Sequence, residues 1–140
     1  MESRLRLVKP TLNTKFKVDF DWWKTHDRDW VIYMRSFLCK THSELLSTIS
    51  DSEQIDWVNQ KTGEVESVDA IHYTLINHCA HSEDFLRQSN ALVDSVFRIF
   101  LANGNQPLSC SELADILSKP ADLILRTFSS PLVYKGIRPI

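Results

Sequence analysis

The chain has 140 residues, of which 43% are hydrophobic and 24% charged, with a formal net charge of −2. That balance excludes a globally disordered chain and a general polyanion binder, and it leaves room for one compact domain or two small ones. No run approaches the roughly 20 apolar residues of a membrane span, and Met1-Glu2-Ser3-Arg4 has no apolar core behind it, so neither a membrane partner nor an export signal is expected.

Three cysteines, an odd number, point to a reducing cytoplasm rather than a disulfide framework. Arg4, Arg6 and Lys9 alternate with Leu5, Leu7 and Val8 ahead of Pro10, which reads as an arm or edge strand over residues 1–14. The functional alternative is a basic arm touching a phosphate backbone. Lys15 to Asp21 alternates polar and apolar residues, a half-buried strand with Phe16, Val18 and Phe20 inward. Trp22, Trp23, Trp30 and Trp57 all precede residue 60 and are expected in the core, the alternative being an aromatic contact surface.

From Asp27 to Leu38 the spacing predicts a helix with Trp30, Val31, Met34, Phe37 and Leu38 on its inner stripe and Arg28 and Arg35 on the wet side. Thr41-His42-Ser43-Glu44 has capping-box spacing for a short helix carrying Leu45, Leu46 and Ile49. Ile55–Val58 and Glu64–Val68 flank Asn59-Gln60-Lys61-Thr62-Gly63 as a predicted hairpin. A helix follows, with Val68, Ile71, His72, Leu75, Ile76 and Cys79 at helical spacing, and Ser82 is placed to cap a short helix holding Phe85 and Leu86.

One constellation carries metal chemistry. Zinc takes about four nitrogen or sulfur ligands in tetrahedral geometry, and a two-residue gap lets one loop supply two of them. Cys39-x-x-His42 offers such a pair, and His78-Cys79 offers a second about 35 residues later, with His81 in place of His78 if the chain turns. Adjacent residues on a regular helix point about 100° apart, so His78 and Cys79 can share an ion only where the helix has begun to unwind. The alternative is that Cys39 and Cys79 are small buried hydrophobes. Zinc is the expected cofactor; no enzyme is expected, because no phosphate-cradling loop, Gly-x-Ser-x-Gly or His-Glu-x-x-His is present.

The last third has the densest signals. Leu92, Val93, Val96, Phe97, Ile99, Phe100 and Leu101 make a wide apolar stripe, with Asp94, Ser95 and Arg98 opposite, ended by Asn103-Gly104-Asn105 and Pro107. Ser109 and Glu112 have capping-box spacing and Leu108 and Leu113 form a hydrophobic staple, so a second helix is predicted over 110–117. After Ser118-Lys119-Pro120 a third runs to about Ser129, and Val133 to Arg138 reads as two extended runs around a Lys-Gly turn.

That order, carried by Ser109 to Pro120 and by Leu123 to Phe128 with Arg126, resembles the winged helix-turn-helix superfamily over roughly 50 residues. The resemblance implies a third helix that enters the major groove, here presenting Asp122, Arg126, Thr127 and Ser129, and a wing that meets the backbone. Lys119, Arg126, Thr127, Lys135 and Arg138 are the expected DNA contacts. The expected fold is mostly helical α+β, with a Trp-rich, zinc-stapled α+β domain over 1–88 packed on a winged helix over 89–140. The expected function is a small cytoplasmic DNA-binding transcriptional regulator, a homodimer being one arrangement open to it. Residues 91–140 carry five Lys/Arg against four Asp/Glu, a weak basic footprint, so a protein–protein adaptor that uses the winged helix as a docking module is the alternative.

Overall fold

The computed structural model describes residues 9–140; Arg4, Arg6, Leu5, Leu7 and Val8 of the expected arm lie outside the described residues. The fold is α+β. Strand β1 (Lys15–Val18) leads into α1 (Phe20–His26), α2 (Trp30–Ser36) and α3 (Lys40–Leu45). Strands β2 (Gln54–Val58) and β3 (Val65–Asp69) precede α4 (Ala70–Asn77) and two single 3-10 turns, Cys79–His81 and Phe85–Arg87. The chain closes with α5 (Leu92–Ala102), β4 (Leu108–Ser109), α6 (Cys110–Leu117), α7 (Ala121–Phe128) and β5 (Ile137–Pro139). Among the described residues no helix is long and apolar enough to cross a membrane.

The chain divides otherwise than the expected 1–88 and 89–140. Residues 9–27 belong with 86–140, and residues 28–85 form the second unit. The cause is backbone pairing. β1 is the central strand of an antiparallel sheet ordered β4-β1-β5, with Phe16 opposite Leu108 on one edge and Val18 opposite Ile137 on the other. Beyond the end of β4, Asn105 continues that edge with its side chain. Its Oδ1 accepts from the Val18 N–H at 2.9 Å, and its Nδ2 donates to the Val18 carbonyl at 2.8 Å.

The predicted strand over 15–21 therefore stops at Val18. Asp19 instead caps α1, its Oδ1 accepting from the Trp22 N–H at 3.0 Å. Phe16 and Val18 face inward as expected, and α1 delivers Trp23 to the core, edge-on to Phe97 with ring centroids 5.2 Å apart. Trp23 is buried, whereas Trp22, Trp30 and Trp57 are half-buried.

The wing hairpin expected over Val133–Arg138 is not formed. Lys135 and Gly136 do make the predicted turn, both at positive φ (53° and 77°), closed by the Ile137 N–H on the Tyr134 carbonyl. The run after the turn pairs with β1 rather than with Val133–Tyr134. Gly136 is required there, since an added Cβ would lie 2.8 Å from Trp23 Cβ and 2.9 Å from the Asp19 carbonyl oxygen.

The helices of this unit follow their local signals. α6 begins at the expected residue, and both arms of the Ser109–Glu112 capping box are present, at 3.1 and 2.9 Å. Leu113 is buried, as are Ile124 and Phe128 on the inner side of α7. The wet side assigned to α5 is a correction. Ser95 and Arg98 are buried, because residues 88 and 89 lie back along the helix: the Ser95 hydroxyl donates to the Ser89 carbonyl at 3.0 Å and Arg98 Nη1 to Gln88 Oε1 at 3.2 Å.

In residues 28–85, α2 packs on α4, and Val31, Met34, Phe37, Ile71 and Leu75 are buried. β2 and β3 form the predicted hairpin, with Ile55 opposite Val68 and Trp57 opposite Glu66. Arg35 is not a free wet-side charge. It binds Asp51 at 2.9 Å and the carbonyls of Leu46 and Ile49 at 2.9 and 3.0 Å, so its guanidinium closes the turn after α3.

Two expectations follow for stability. Gly136→Ala should cost about 2–3 kcal/mol, the cost of a side chain at a crowded positive-φ position, against about 1 kcal/mol for Ser109→Ala, which loses one cap hydrogen bond. Urea unfolding of both variants checks the order, and a milder Gly136 variant would contradict the packing described.

Glu112 gives the second. Its carboxylate takes the Lys15 ammonium and the Ser109 N–H, which together hold its pKa down to about 2. A group depressed on folding stabilises above its unfolded pKa and ceases to do so as pH falls through the folded one. The stability difference between wild type and Glu112→Gln should therefore be full at neutral pH and shrink between about pH 4.5 and 2. A difference that stays flat across that window would contradict the ion pair.

Candidate metal centre and interaction surface

In residues 28–85 the candidate site forms where two helix ends meet. Cys39 is the residue ahead of α3, with extended backbone (φ −67°, ψ 162°), and the Ser43 N–H binds its carbonyl at 2.8 Å. The capping box expected at Thr41 is thereby displaced: α3 starts at Lys40, and its first turn carries His42 across to the Cys39 sulfur. At the other end, α4 stops at Asn77. His78 leaves helical geometry (φ −126°, ψ −64°) and Cys79 opens a 3-10 turn. The unwinding that a shared site requires is thus present.

Cys39, His42 and Cys79 converge, with one ligand atom from each within 4.8 Å of the others, a group that can hold a metal ion. The Cys39 sulfur lies 2.8 Å from His42 Nδ1 and 3.5 Å from the Cys79 sulfur, and the Cys39 N–H donates to Cys79 Sγ at 3.2 Å. His78, expected as a ligand, is not in that group. Its exposed ring stacks on His42 instead, centroids 5.1 Å apart and planes 11° from parallel. His81 is exposed at the end of the 3-10 turn. His72 is half-buried on α4, two turns back from Cys79.

The two thiols differ. Burial pushes the Cys39 thiol up, but its hydrogen bonds with His42 and Cys79 outweigh that and bring it to about 7. Burial dominates at Cys79 and raises it to about 11. Cys110, buried at the start of α6 in the other unit, is also raised by desolvation.

The expected DNA contacts are distributed over the other unit. Lys119 is half-buried in the α6–α7 turn, where Ser118 takes positive φ (56°). Arg126 is exposed on α7, with its Nε 3.4 Å from the Asp122 carbonyl, and the Thr127 hydroxyl donates to the Leu123 carbonyl at 2.8 Å. Lys135 lies 3.9 Å from Asp27. Arg138 lies 3.5 Å from Asp19 and 5.1 Å above the Trp22 ring. Neither acidic partner is legible locally, since each is more than 100 positions away in sequence. A cleft of about 720 Å³ runs beside β5, walled by Phe128, Val133, Ile137 and Pro139, with Lys9 and Arg138 as its charged lining residues.

Comparison with protein-family models, with curated proteins and with solved structures gave no match.

The sulfur environments set an order of reactivity. In metal-free buffer at pH 7.5, iodoacetamide should modify Cys39 at least about tenfold faster than Cys79 or Cys110, because the thiolate is the nucleophile and Cys39 alone combines partial exposure with a lowered pKa. Peptide mass spectrometry over a time course reads this directly. Cys110 reacting first would contradict the assigned environments.

Proposed function

We propose that residues 9–27 and 86–140 form a winged-helix-type module that binds duplex DNA, with α7 as the helix that enters the groove. The observation that carries this reading is the partition of charge once the units are drawn by backbone pairing. Residues 9–27 with 86–140 hold ten Lys/Arg against seven Asp/Glu, net +3, whereas residues 28–85 hold four against ten, net −6. A chain that looks nearly neutral as a whole thus carries its cations on the unit with the helix-turn-helix layout, as a phosphate-binding surface requires. In this reading the antiparallel pair β1 and β5, with the Lys135-Gly136 turn that leads into β5, stands in for the hairpin wing. The role this implies is a small cytoplasmic transcriptional regulator, in keeping with cysteines that are all free.

A specific observation favours a second reading. Lys135 and Arg138 already face Asp27 and Asp19, and α7 presents Leu123, 39% exposed, beside Asp122, while Ile116 at the end of α6 is 51% exposed. An apolar side chain flanked by charges suits a protein partner, and the same fold serves for docking.

Salt dependence separates the two. With the wing cations internally paired, Lys119 and Arg126 are the principal phosphate contacts, so the log–log slope of affinity against salt should be about −2. Lys119→Ala should reduce that slope by about one, and Arg126→Ala should mainly flatten sequence preference. Anisotropy of labelled duplex at several salt concentrations measures both. Binding undetectable at low salt would defeat the DNA reading and leave docking to a protein.

A further inference from the structure

We propose that residues 28–85 carry a structural zinc centre built from Cys39, His42 and Cys79, with His78 as its fourth ligand. This inference is independent of what the other unit binds. It begins from donor chemistry. Two thiols and an imidazole, with no carboxylate among them, select zinc over magnesium, calcium or manganese, which prefer oxygen.

Geometry follows. Two sulfurs about 2.3 Å from one tetrahedral ion lie roughly 3.8 Å apart, and the Cys39 and Cys79 sulfurs are 3.5 Å apart here. The 2.8 Å hydrogen bond between Cys39 and His42 opens by less than about 1 Å to admit the ion. The Cys39 N–H on the Cys79 sulfur already supplies the outer hydrogen bond that orients such a ligand. Binding turns both thiols into thiolates and releases their protons to solvent.

His78 is assigned the fourth position because the break in α4 brings its ring beside His42, from where it turns out of the stack to reach the ion, whereas His81 lies beyond the next turn. The need for a staple is physical. This unit has only 58 residues, fewer than the roughly 70–80 below which a hydrophobic core alone seldom suffices. The ion joins the start of α3 to the end of α4 across 40 positions, tying the α2–α4 layer at its open end.

The full chain, purified without added metal and then titrated with zinc, should bind one equivalent by elemental analysis. Cobalt(II) in its place should give tetrahedral d–d absorption with a thiolate charge-transfer band. Cys79→Ser should weaken that band. His78→Ala should keep it but lower zinc affinity by at least the roughly 10–100-fold that loss of a ligand's outer hydrogen-bond partner costs, while His81→Ala leaves affinity unchanged. Chelation should lower the melting temperature of wild type. A wild-type chain that takes up less than about a tenth of an equivalent, shows no cobalt charge transfer and melts identically with chelator overturns the centre. Loss of affinity in His81→Ala but not in His78→Ala overturns the assignment of the fourth ligand.

Discussion

Four residues, Lys15–Val18, decide how this chain is organised. Both edges of that strand are occupied, one by β4 and then the Asn105 amide, the other by β5. Backbone N–H and C=O groups that are shielded from water must be paired, and among the described residues neither β4, two residues long, nor β5, three residues long, has another strand partner. The three form a sheet only together. Phe16 and Val18 then turn inward by simple alternation, and the chain leaving β1 is capped by Asp19 and lays Trp23 against Phe97 and over Gly136. One strand thus fixes a helix, a turn and the buried Trp23–Phe97 contact of its unit.

The same pairing redraws the electrostatics. Split at residue 88, the chain has two halves of small and unremarkable charge. Divided by backbone pairing, its cations gather in residues 9–27 and 86–140 and its carboxylates in residues 28–85. The ion pairs temper that excess. Lys15 is engaged by Glu112, Lys135 by Asp27 and Arg138 by Asp19, so these three cations serve the fold. A modest surface charge and a short exposed helix fit the DNA binding proposed above only if that binding is weak. They are equally what a protein-docking face looks like, which is why salt dependence and not fold is the discriminating property.

What was legible in sequence was what is local. The Ser109–Glu112 box, the extent of α6, the inner face of α7, the Lys135-Gly136 turn and the β2–β3 hairpin depend on residues within a few positions of each other. The Cys39, His42 and Cys79 constellation was also legible, because two-residue spacing and a helix end are both local patterns. The strand at 15–18 was visible, but its partners lie about 90 and 120 positions away, and alternation says nothing about which edge is filled. Thr41 failed as a cap for a different reason. Cys39 already holds the extended backbone ahead of α3, so the helix starts before the box can act. Likewise Arg35 and Arg98 sit where periodicity predicts water, and each is taken up by chain that folds back on it: residues 46–51 in one case, residue 88 in the other.

β1 belongs to the unit that contains α5, α6 and α7. Native-state hydrogen exchange tests this residue by residue. The Val18 and Asp19 amides, which donate to Asn105 and to the Gly136 carbonyl, should open only with the amides of Phe97 to Leu101, sharing one free energy and one denaturant dependence. Chelation, which should loosen residues 28–85, should leave their protection unchanged. If Val18 and Asp19 instead exchange early as a frayed arm, or in step with α2 and α4, the division of the chain argued here is wrong.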